Sequence, residues 1–286
     1  MQTRDSVNAY VLASDPAWLT VSVGAYYQHV DRIVVSYDES GHGWTGRPVH
    51  SSRCISELKA VDLDRKLILV PGDYRAKSGE SPLEAETRQR NVARLEAAKG
   101  ADWVIQIDTD EYLPSFASLV QALEVAAQRR LPAVDWPMRV LYRATRSGRF
   151  LEVVNADGSV HTDYPGHVAI RPDLPLVHAR RSAAPFLRPV LIGDRSSLTI
   201  SREPEEGEER LEVLTTEDAI LHNSWARGIR DTWAKVSSWG HNDGYRTQVY
   251  FVSQWLPSPL TWRLMRNFHP ISPEAWPRLA RTRLAD

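Results

Sequence analysis

The feature that most restricts the fold is an alternation of short apolar runs with amphipathic stretches over the first 130 residues. The apolar runs have the length of buried strands, and they lie at 7–15, 31–41, 65–73 and 102–108. Stretches with helical spacing of apolar residues follow them, at 16–30, 81–101 and 116–130. This alternation predicts right-handed crossovers and an α/β fold with a mostly parallel central sheet and helices on both faces.

The helix at 81–101 has signals at both of its ends. Ser81 is placed to cap it, Pro82 to begin it and Glu84 to complete a capping box, while Gly100 follows its last turn. The boundaries of this helix are therefore well defined by the sequence.

From residue 131 the pattern changes to shorter runs separated by glycine and proline turns, which predict a smaller region of mixed strands. The acidic stretch 201–213 predicts a solvated loop. Residues 218–244 predict a strand that becomes a helix from about Ser224 to Trp239. We divide the chain into 1–130, 131–245 and 246–286.

Composition narrows the class of protein. The 286 residues carry 35 basic and 36 acidic side chains, so no overall field attracts nucleic acid. The single cysteine, Cys54, excludes an internal disulfide framework. No signal peptide or eighteen-residue apolar run is present, so we expect a cytoplasmic protein that does not span a membrane.

Acidic side chains follow two of the predicted strands where each strand ends. Asp38 ends the second strand, and Asp108, Asp110 and Glu111 end the fourth. Because open α/β sheets bind ligands beyond the carboxyl ends of their strands, we expect these acids at one crevice. Clustered carboxylates repel one another unless a cation lies among them, and their oxygens suit Mg²⁺ or Mn²⁺. The alternative is a solvated turn in which Asp110 or Ser115 caps the next helix.

Other polar side chains could complete such a site. His222 ends an apolar run and is either a third ligand, suited to Mn²⁺, or a core histidine bonded to the backbone; His241 is the second choice. Arg90 and Asn91 lie on the helix before the acidic strand end, and Arg227 follows His222. Their donors suit a diphosphate or sugar hydroxyls, although ion pairs on a solvated helix surface are the alternative for the arginines.

Three blocks of the chain, in order, carry a family resemblance: VNAYVLASDPAWL, RIVVSYDESG and RQRNVARLEAAKGADWVIQIDTDEYL. They resemble successive blocks of the family 2 glycosyltransferases, which have the nucleotide-diphospho-sugar transferase fold called GT-A. The resemblance covers residues 7–115. It implies a GT-A fold in which 1–130 binds the nucleotide sugar and 131–245 completes the same catalytic domain on the acceptor side.

The resemblance implies a metal-dependent, inverting glycosyltransferase that moves a sugar from a nucleotide-diphosphate donor to an acceptor hydroxyl. The acceptor would be a glycan or a lipid-linked molecule. The reaction would belong to the assembly of a bacterial-type glycan, polysaccharide or glycoconjugate. The residues expected at the donor are Asp38 at the base or ribose, Asp108 at the ribose, and Arg90, Asn91 and Arg227. The residues expected at the Mn²⁺ or Mg²⁺ ion are Asp108, Asp110 and His222.

The catalytic base should come from the second half of the domain. Asp194 and Asp218 are the candidates, with Asp163 behind them, and each could instead be an ordinary surface acid. The Gln-x-x-Arg-Trp signature of processive synthases is absent, which argues against a polymerising enzyme of that type.

A sugar-1-phosphate nucleotidyltransferase of related fold is the alternative function. Such an enzyme should carry a glycine-rich loop with arginine and lysine directly after the first strand. This chain has LASDPAWL there.

The segment 246–286 interleaves aromatic and basic residues. Arginine and tryptophan suit a bilayer interface, so one prediction is peripheral contact with the inner face of a membrane. The alternatives are that the segment packs back onto the catalytic domain or forms a homodimer contact. Its prolines exclude one long amphipathic helix.

Overall fold

The computed structural model describes residues 5–145, 149–238 and 245–282. The strands, in chain order, are β1 (Val7–Leu12), β2 (Ile33–Asp38), β3 (Leu67–Gly72), β4 (Trp103–Gln106), β5 (Glu111–Tyr112), β6 (Ala133–Asp135), β7 (Met138–Ala144), β8 (Phe150–Val154), β9 (His167–Ile170), β10 (Phe186–Leu191), β11 (Glu208–Leu214), β12 (Ile220–His222) and β13 (Arg278–Thr282). The α-helices are α1 (Leu19–Tyr26), α2 (Ser51–Val61), α3 (Pro82–Ala97), α4 (Phe116–Arg129), α5 (Ile229–Ser238), α6 (Tyr245–Tyr250) and α7 (Ser258–Thr261). A π-helical turn, Phe251–Trp255, joins α6 to α7.

The main sheet has eight strands in the order β11-β10-β6-β9-β4-β1-β2-β3. Its neighbours pair in parallel except β9, which runs antiparallel to both β4 and β6. One face packs against α1, α2 and α4, and the other packs against α3. The predicted α/β fold, with helices on both faces of a mostly parallel sheet, is confirmed.

The ends of α3 follow the predicted signals. The Glu84 amide donates to Ser81 Oγ (3.2 Å), and the Glu84 carboxylate accepts from the Ser81 amide (2.7 Å), which forms the capping box. Gly100 follows with a φ of +74°, a conformation that glycine adopts with little strain. The capping box fixes the residue at which α3 begins, and so it fixes which side chains of α3 face the cavity.

Other boundaries differ from the prediction. α1 begins at Leu19 rather than at Pro16, because Asp15 Oδ1 accepts from the Ala17 amide (2.9 Å) in a turn before the helix. α5 begins at Ile229 rather than near Ser224. α2 was not predicted, because its sequence SSRCISELKAV buries only Ser51, Cys54 and Leu58 and so carries a weak apolar pattern.

The acidic stretch 201–213, predicted to be a loop, contains most of the edge strand β11. Glu208, at the start of β11, accepts from the buried Arg188 (2.7 Å) and from Arg210 (2.5 Å). Charged residues are common on edge strands because they discourage pairing with another chain. The acidity of this stretch therefore reflects an edge position.

A second sheet has five strands in the order β13-β8-β7-β12-β5. β13 pairs antiparallel with β8, so the C-terminal segment is joined by backbone hydrogen bonds to the middle of the chain. The side chains of Trp225, Trp255, Phe268 and Trp276 form a buried cluster beside this sheet. The aromatic residues of the C-terminal segment in this cluster therefore pack back onto the rest of the chain. Within the described ranges, no helix combines the length and the apolar character needed to cross a bilayer.

Candidate functional site

A cavity of about 730 Å³ lies at the carboxyl ends of β1, β2 and β4. Asp38, at the end of β2, and Asp108 and Asp110, after β4, all line it. The structure thus brings together the acids that the sequence predicted at a shared edge. Its wall also includes the loop after β1, the 42–51 region, α3 and the stretch from His222 to Asp231.

Asp108 is paired with a buried arginine. Nη2 of Arg90 lies 3.0 Å from both carboxylate oxygens of Asp108, and Nε of Arg90 donates to Glu86 (2.9 Å). Burial opposes ionisation of Asp108, but the positive charges of Arg90 and Arg180 and the hydrogen bonds from Arg90 together outweigh it, so the pKa of that carboxyl lies below its usual value. α3 thus positions Arg90 at the cavity wall, as the sequence predicted.

Asp110 is held by Arg227, which connects three parts of the site. Nη2 of Arg227 donates to Asp110 (2.6 Å), and Nη1 donates to Asp15 in the loop after β1. Burial disfavours the guanidinium charge, but Asp110 and Asp15 raise the pKa of Arg227 above its usual value. Arg227 therefore stays charged between two carboxylates at the cavity.

His222 also lies beside Asp110. It ends β12, which pairs with β5 so that His222 faces Glu111, and with β7 so that it faces Val140. Its Nε2 is 3.7 Å from Asp110 Oδ2. The predicted neighbourhood of His222 and Asp110 is therefore found, and it is set by two backbone ladders.

The third acid of the cluster, Glu111, does not line the cavity. Its buried carboxylate accepts from Nη1 and Nη2 of Arg180 (2.7 and 2.6 Å) and from the Asp108 amide (3.0 Å). Arg180 also donates to the Gln106 carbonyl (2.7 Å). This ion pair fixes the turn that carries Asp108 and Asp110. Nothing in the sequence pattern points to Arg180.

The donor set decides how well a divalent cation fits the site. Within the described ranges, no group of three or more His, Cys, Asp or Glu side chains is placed to hold a metal ion, so the predicted set of Asp108, Asp110 and His222 is not assembled. Asp108 is paired with Arg90, and Asp110 Oδ2 accepts from Arg227 (2.6 Å). The 3.7 Å between Asp110 and His222 does fit two donors that each lie about 2.1 Å from one ion. Water and phosphate oxygens commonly supply the remaining ligands of Mg²⁺.

Asp38 organises the loop that follows it. Oδ1 accepts from the Ser40 and His42 amides (2.9 and 3.2 Å), and Oδ2 accepts from the Tyr74 amide (2.8 Å). Burial opposes ionisation, but these bonds and one from Ser40 Oγ lower the pKa of Asp38. Asp38 therefore shapes the cavity wall; its contact with a base or ribose stays a prediction.

Trp44 is a cavity residue that the sequence analysis missed. Its indole Nε1 donates to Gln89 Oε1 (2.7 Å), and Gln89 Nε2 donates to Ser36 Oγ (3.2 Å). These bonds orient the ring beside the cavity that Asp38 also lines. A single aromatic residue in a glycine-rich loop has no periodic pattern that would have identified it.

The structure does not bring Asp194 or Asp218 to the cavity. Asp194 accepts from Thr162 Oγ1 (2.9 Å) and from the Ser197 amide (3.1 Å), so it organises a turn near β10. Asp218 accepts from Ser118 Oγ (2.6 Å) and the Thr215 amide, beside the start of α4. Neither lines the cavity, so the prediction of a base at these positions has no geometric support.

Two further predicted residues also lie elsewhere. The Asn91 amide donates to Leu176 O (2.8 Å), and its carbonyl accepts from the Leu176 amide (3.0 Å), so Asn91 joins α3 to a neighbouring loop. Asp163 accepts from Trp276 Nε1 (3.0 Å) and contacts His161 Nε2 (2.9 Å). His241 lies outside the described residues.

Asp231 is the acid from the second half of the chain that does line the cavity. It is exposed and lies in the first turn of α5. An added Cβ at Gly228 would lie 3.0 Å from its carboxylate, so the glycine gives the Asp231 side chain room beside the helix start.

No protein-family model and no curated protein sequence matches the chain. Among solved structures, it is similar to 4-diphosphocytidyl-2C-methyl-D-erythritol synthase from Anaerococcus prevotii, with 12% identity and a TM-score of 0.31, over 59% of this chain and 70% of the other. It is also similar to CMP:2-keto-3-deoxy-manno-octonic acid synthetase complexed with CTP, with 14% identity and a TM-score of 0.34. The match covers 59% of this chain and 75% of the other. A third is mannose-1-phosphate geranyltransferase from Thermus thermophilus, with 12% identity and a TM-score of 0.31, over 57% and 50%. Similarity at this level does not assign an activity.

Proposed function

We propose that this protein is a glycosyltransferase that moves a sugar from a nucleoside-diphosphate donor to an acceptor hydroxyl. The observation that carries the proposal is that Asp38, Asp108 and Asp110, from the ends of two strands, line one cavity of about 730 Å³. Sheet edges of this kind bind nucleotides in open α/β folds. The cavity volume lies within the usual range of about 300–1,000 Å³ for small-molecule sites.

Arg227 and Arg90 would provide the positive charge that a diphosphate requires. Arg227 lines the cavity, where it contacts both Asp15 and Asp110. A planar guanidinium can donate two parallel hydrogen bonds to phosphate oxygens. Asp110 and His222 would hold Mn²⁺ or Mg²⁺, and such an ion, when bound, offsets negative charge on the leaving diphosphate.

Asp231 is the residue that we propose as the general base. In the reaction, the acceptor oxygen forms a bond to the anomeric carbon while the bond from that carbon to the diphosphate oxygen breaks. Asp231 takes the proton of the acceptor hydroxyl, and the nucleoside diphosphate leaves with the electron pair. The position of Asp231 on α5, at the side of the cavity formed by the second half of the chain, supports this role.

The alternative, sugar-1-phosphate nucleotidyl transfer, would need cationic side chains directly after β1 to hold a triphosphate. That loop contributes Ser14 and Asp15 to the cavity, and Asp15 is paired with Arg227. This loop therefore offers no cationic side chain to a triphosphate. The two reactions release different products, which an assay can separate.

The test combines binding with product analysis. UDP and GDP, each with and without Mn²⁺, are screened by thermal melting, and we expect one nucleotide with Mn²⁺ to raise the melting temperature more than the two separate effects together. Nucleotide sugars with simple glycoside acceptors should then release the nucleoside diphosphate. Release of pyrophosphate from a nucleoside triphosphate and a sugar 1-phosphate would instead establish the alternative.

Variants separate the roles of the acids. Asp231→Asn should lower kcat by about a hundredfold or more, in the range expected for loss of a general base, while nucleotide binding is kept. Asp64→Asn, at an exposed acid between α2 and β3, is the matched control and should leave both unchanged. If Asp218→Asn abolishes transfer in a folded protein and Asp231→Asn does not, Asp231 is not the base.

A further inference from the structure

The helical segment from α6 to α7 is apolar on its outer face as well as its inner face. Tyr250, Phe251 and Trp255 point inward and are buried. The residues that point outward, which we call the apolar ridge, are Val249, Val252, Leu256, Leu260 and Leu264, with exposed fractions of 42%, 60%, 38%, 91% and 87%. A surface helix normally carries polar residues on its outer face. The ridge is therefore unlike a surface that only faces water.

The members of the ridge follow one another closely along the chain. They are spaced three or four residues apart through α6, the π-helical turn, α7 and the turn after it, and in a helix this spacing places neighbouring members on the same side. Single exposed apolar residues are ordinary, whereas contiguous apolar patches mark interaction sites. Leu260 and Leu264 are almost fully exposed, so they project from the surface rather than lining a groove.

The charges beside the ridge have one sign. Arg263 and Arg266 are exposed next to Leu264, and Arg263 and Arg281 lie over the Trp262 ring at 5.0 and 5.9 Å. In the described part of the segment, 245–282, Glu274 is the only acid. The surface around the ridge thus carries positive charge beside apolar side chains.

We propose that the apolar ridge and its arginines dock on an anionic lipid bilayer. Projecting leucines suit insertion among acyl chains, and arginine and tryptophan suit the headgroup layer. A second copy of this chain fits less well, because a twofold interface brings the same surface patch of both copies together and so opposes two patches of positive charge. The proposal is independent of the proposed reaction.

The segment that carries the ridge packs against the helix that lines the cavity. Trp233 of α5 contacts Phe251, on the inner face of the segment, with ring centroids 5.0 Å apart. Asp231, at the start of the same helix, lines the cavity. α5 therefore connects this segment to the cavity.

The experiment measures co-sedimentation of the full chain with vesicles. Vesicles of phosphatidylglycerol and phosphatidylcholine in equal parts are compared with pure phosphatidylcholine. We expect partitioning to the mixed vesicles and at least a tenfold loss for Leu260→Ser combined with Leu264→Ser. Because each arginine near an anionic surface changes partitioning roughly fivefold, Arg263→Gln combined with Arg266→Gln should lose roughly 25-fold.

Leu63→Ser is the matched control, because Leu63 is 83% exposed but lies between α2 and β3. It should partition like the wild type, and thermal melting should show that all variants are folded. The proposal is overturned if the wild-type protein binds neither kind of vesicle. It is also overturned if Leu63→Ser loses as much binding as the ridge variant, Leu260→Ser combined with Leu264→Ser. It is also overturned if sedimentation velocity shows a dimer that the ridge variant abolishes while vesicle binding is unchanged.

Discussion

Replacing Glu111 by glutamine tests the interpretation that this acid supports the site without taking part in chemistry. The substitution keeps the shape of the side chain and removes its charge. Arg180, whose side chain is 5% exposed, would then be buried without its carboxylate partner. Two hydrogen bonds of 2.6 and 2.7 Å depend on that charge.

The expected loss is large because breaking a buried ion pair from one side costs about 3–5 kcal/mol. At about 2.1 cal/mol/K per residue, the unfolding entropy of 286 residues is about 0.6 kcal/mol/K. The melting temperature should therefore fall by about 5–8 °C. The glutamine carbonyl can still accept from the Asp108 amide. Because this hydrogen bond is kept, the fall in melting temperature should lie toward the low end of the range.

Differential scanning calorimetry at neutral pH measures this shift. Glu209→Gln is the control, because its ion pair with Arg129 is 3.2 Å long and 40–47% exposed, and losing such a pair costs at most about 1 kcal/mol. A Glu111→Gln protein that melts within about 1 °C of the wild type would refute the reasoning. So would a Glu209→Gln protein that is destabilised equally.

Three other predictions follow from the described contacts. Ionised Asp38 stabilises the fold above its ordinary pKa of 3.8, and this contribution is lost as pH falls through the lower pKa of the folded state. The difference in melting temperature between wild type and Asp38→Asn should therefore be full at neutral pH and shrink as pH falls below 3.8. An unchanged difference over that range would contradict the assignment. Trp44→Ala should weaken binding of the cognate nucleotide by about tenfold in calorimetric titration, with Trp44→Phe close to the wild type, because aromatic stacking is worth about 1–3 kcal/mol per base; equal affinity of all three proteins would remove Trp44 from the site. Burial raises the pKa of the Cys54 thiol to about 12, so this thiol should react with Ellman's reagent only after denaturation, and rapid reaction of the native protein would contradict its burial.

The sheet edge of the site could be predicted from the sequence because it depends on local patterns. Strand-length apolar runs ended at Asp38 and Asp108, and the carboxyl ends of parallel strands meet at one edge. The capping box of α3 likewise placed Arg90 on a helix with a known start. These inferences needed only neighbouring residues.

The partners of the acids could not be predicted, because they come from distant loops. Arg180 is 69 residues from Glu111, and Arg227 is 212 residues from Asp15. Pairings of this kind depend on how loops fold over the sheet, which no short pattern encodes. Each of the three clustered carboxylates is paired with an arginine. Asp108 pairs with Arg90, Asp110 with Arg227 and Glu111 with Arg180.

The acids of the second half of the chain could not be ranked from the sequence. Asp194 and Asp218 were candidates for the base by their position along the chain, but both carboxylates accept hydrogen bonds in short turns away from the cavity. The helix that carries Asp231 was expected to begin near Ser224. With α5 beginning at Ile229, the same residue lies in the first turn, beside the cavity.

The pairing of β12 with both β5 and β7 has a consequence for how this protein can vary. His222 faces Glu111 on one side and Val140 on the other, so main-chain ladders fix its distance from the acidic turn. Loops elsewhere on the cavity wall can lengthen or shorten without altering that distance. A one-residue insertion within either short strand would turn the imidazole to the opposite face. Homologues should therefore differ in loop length and keep the spacing inside these strands.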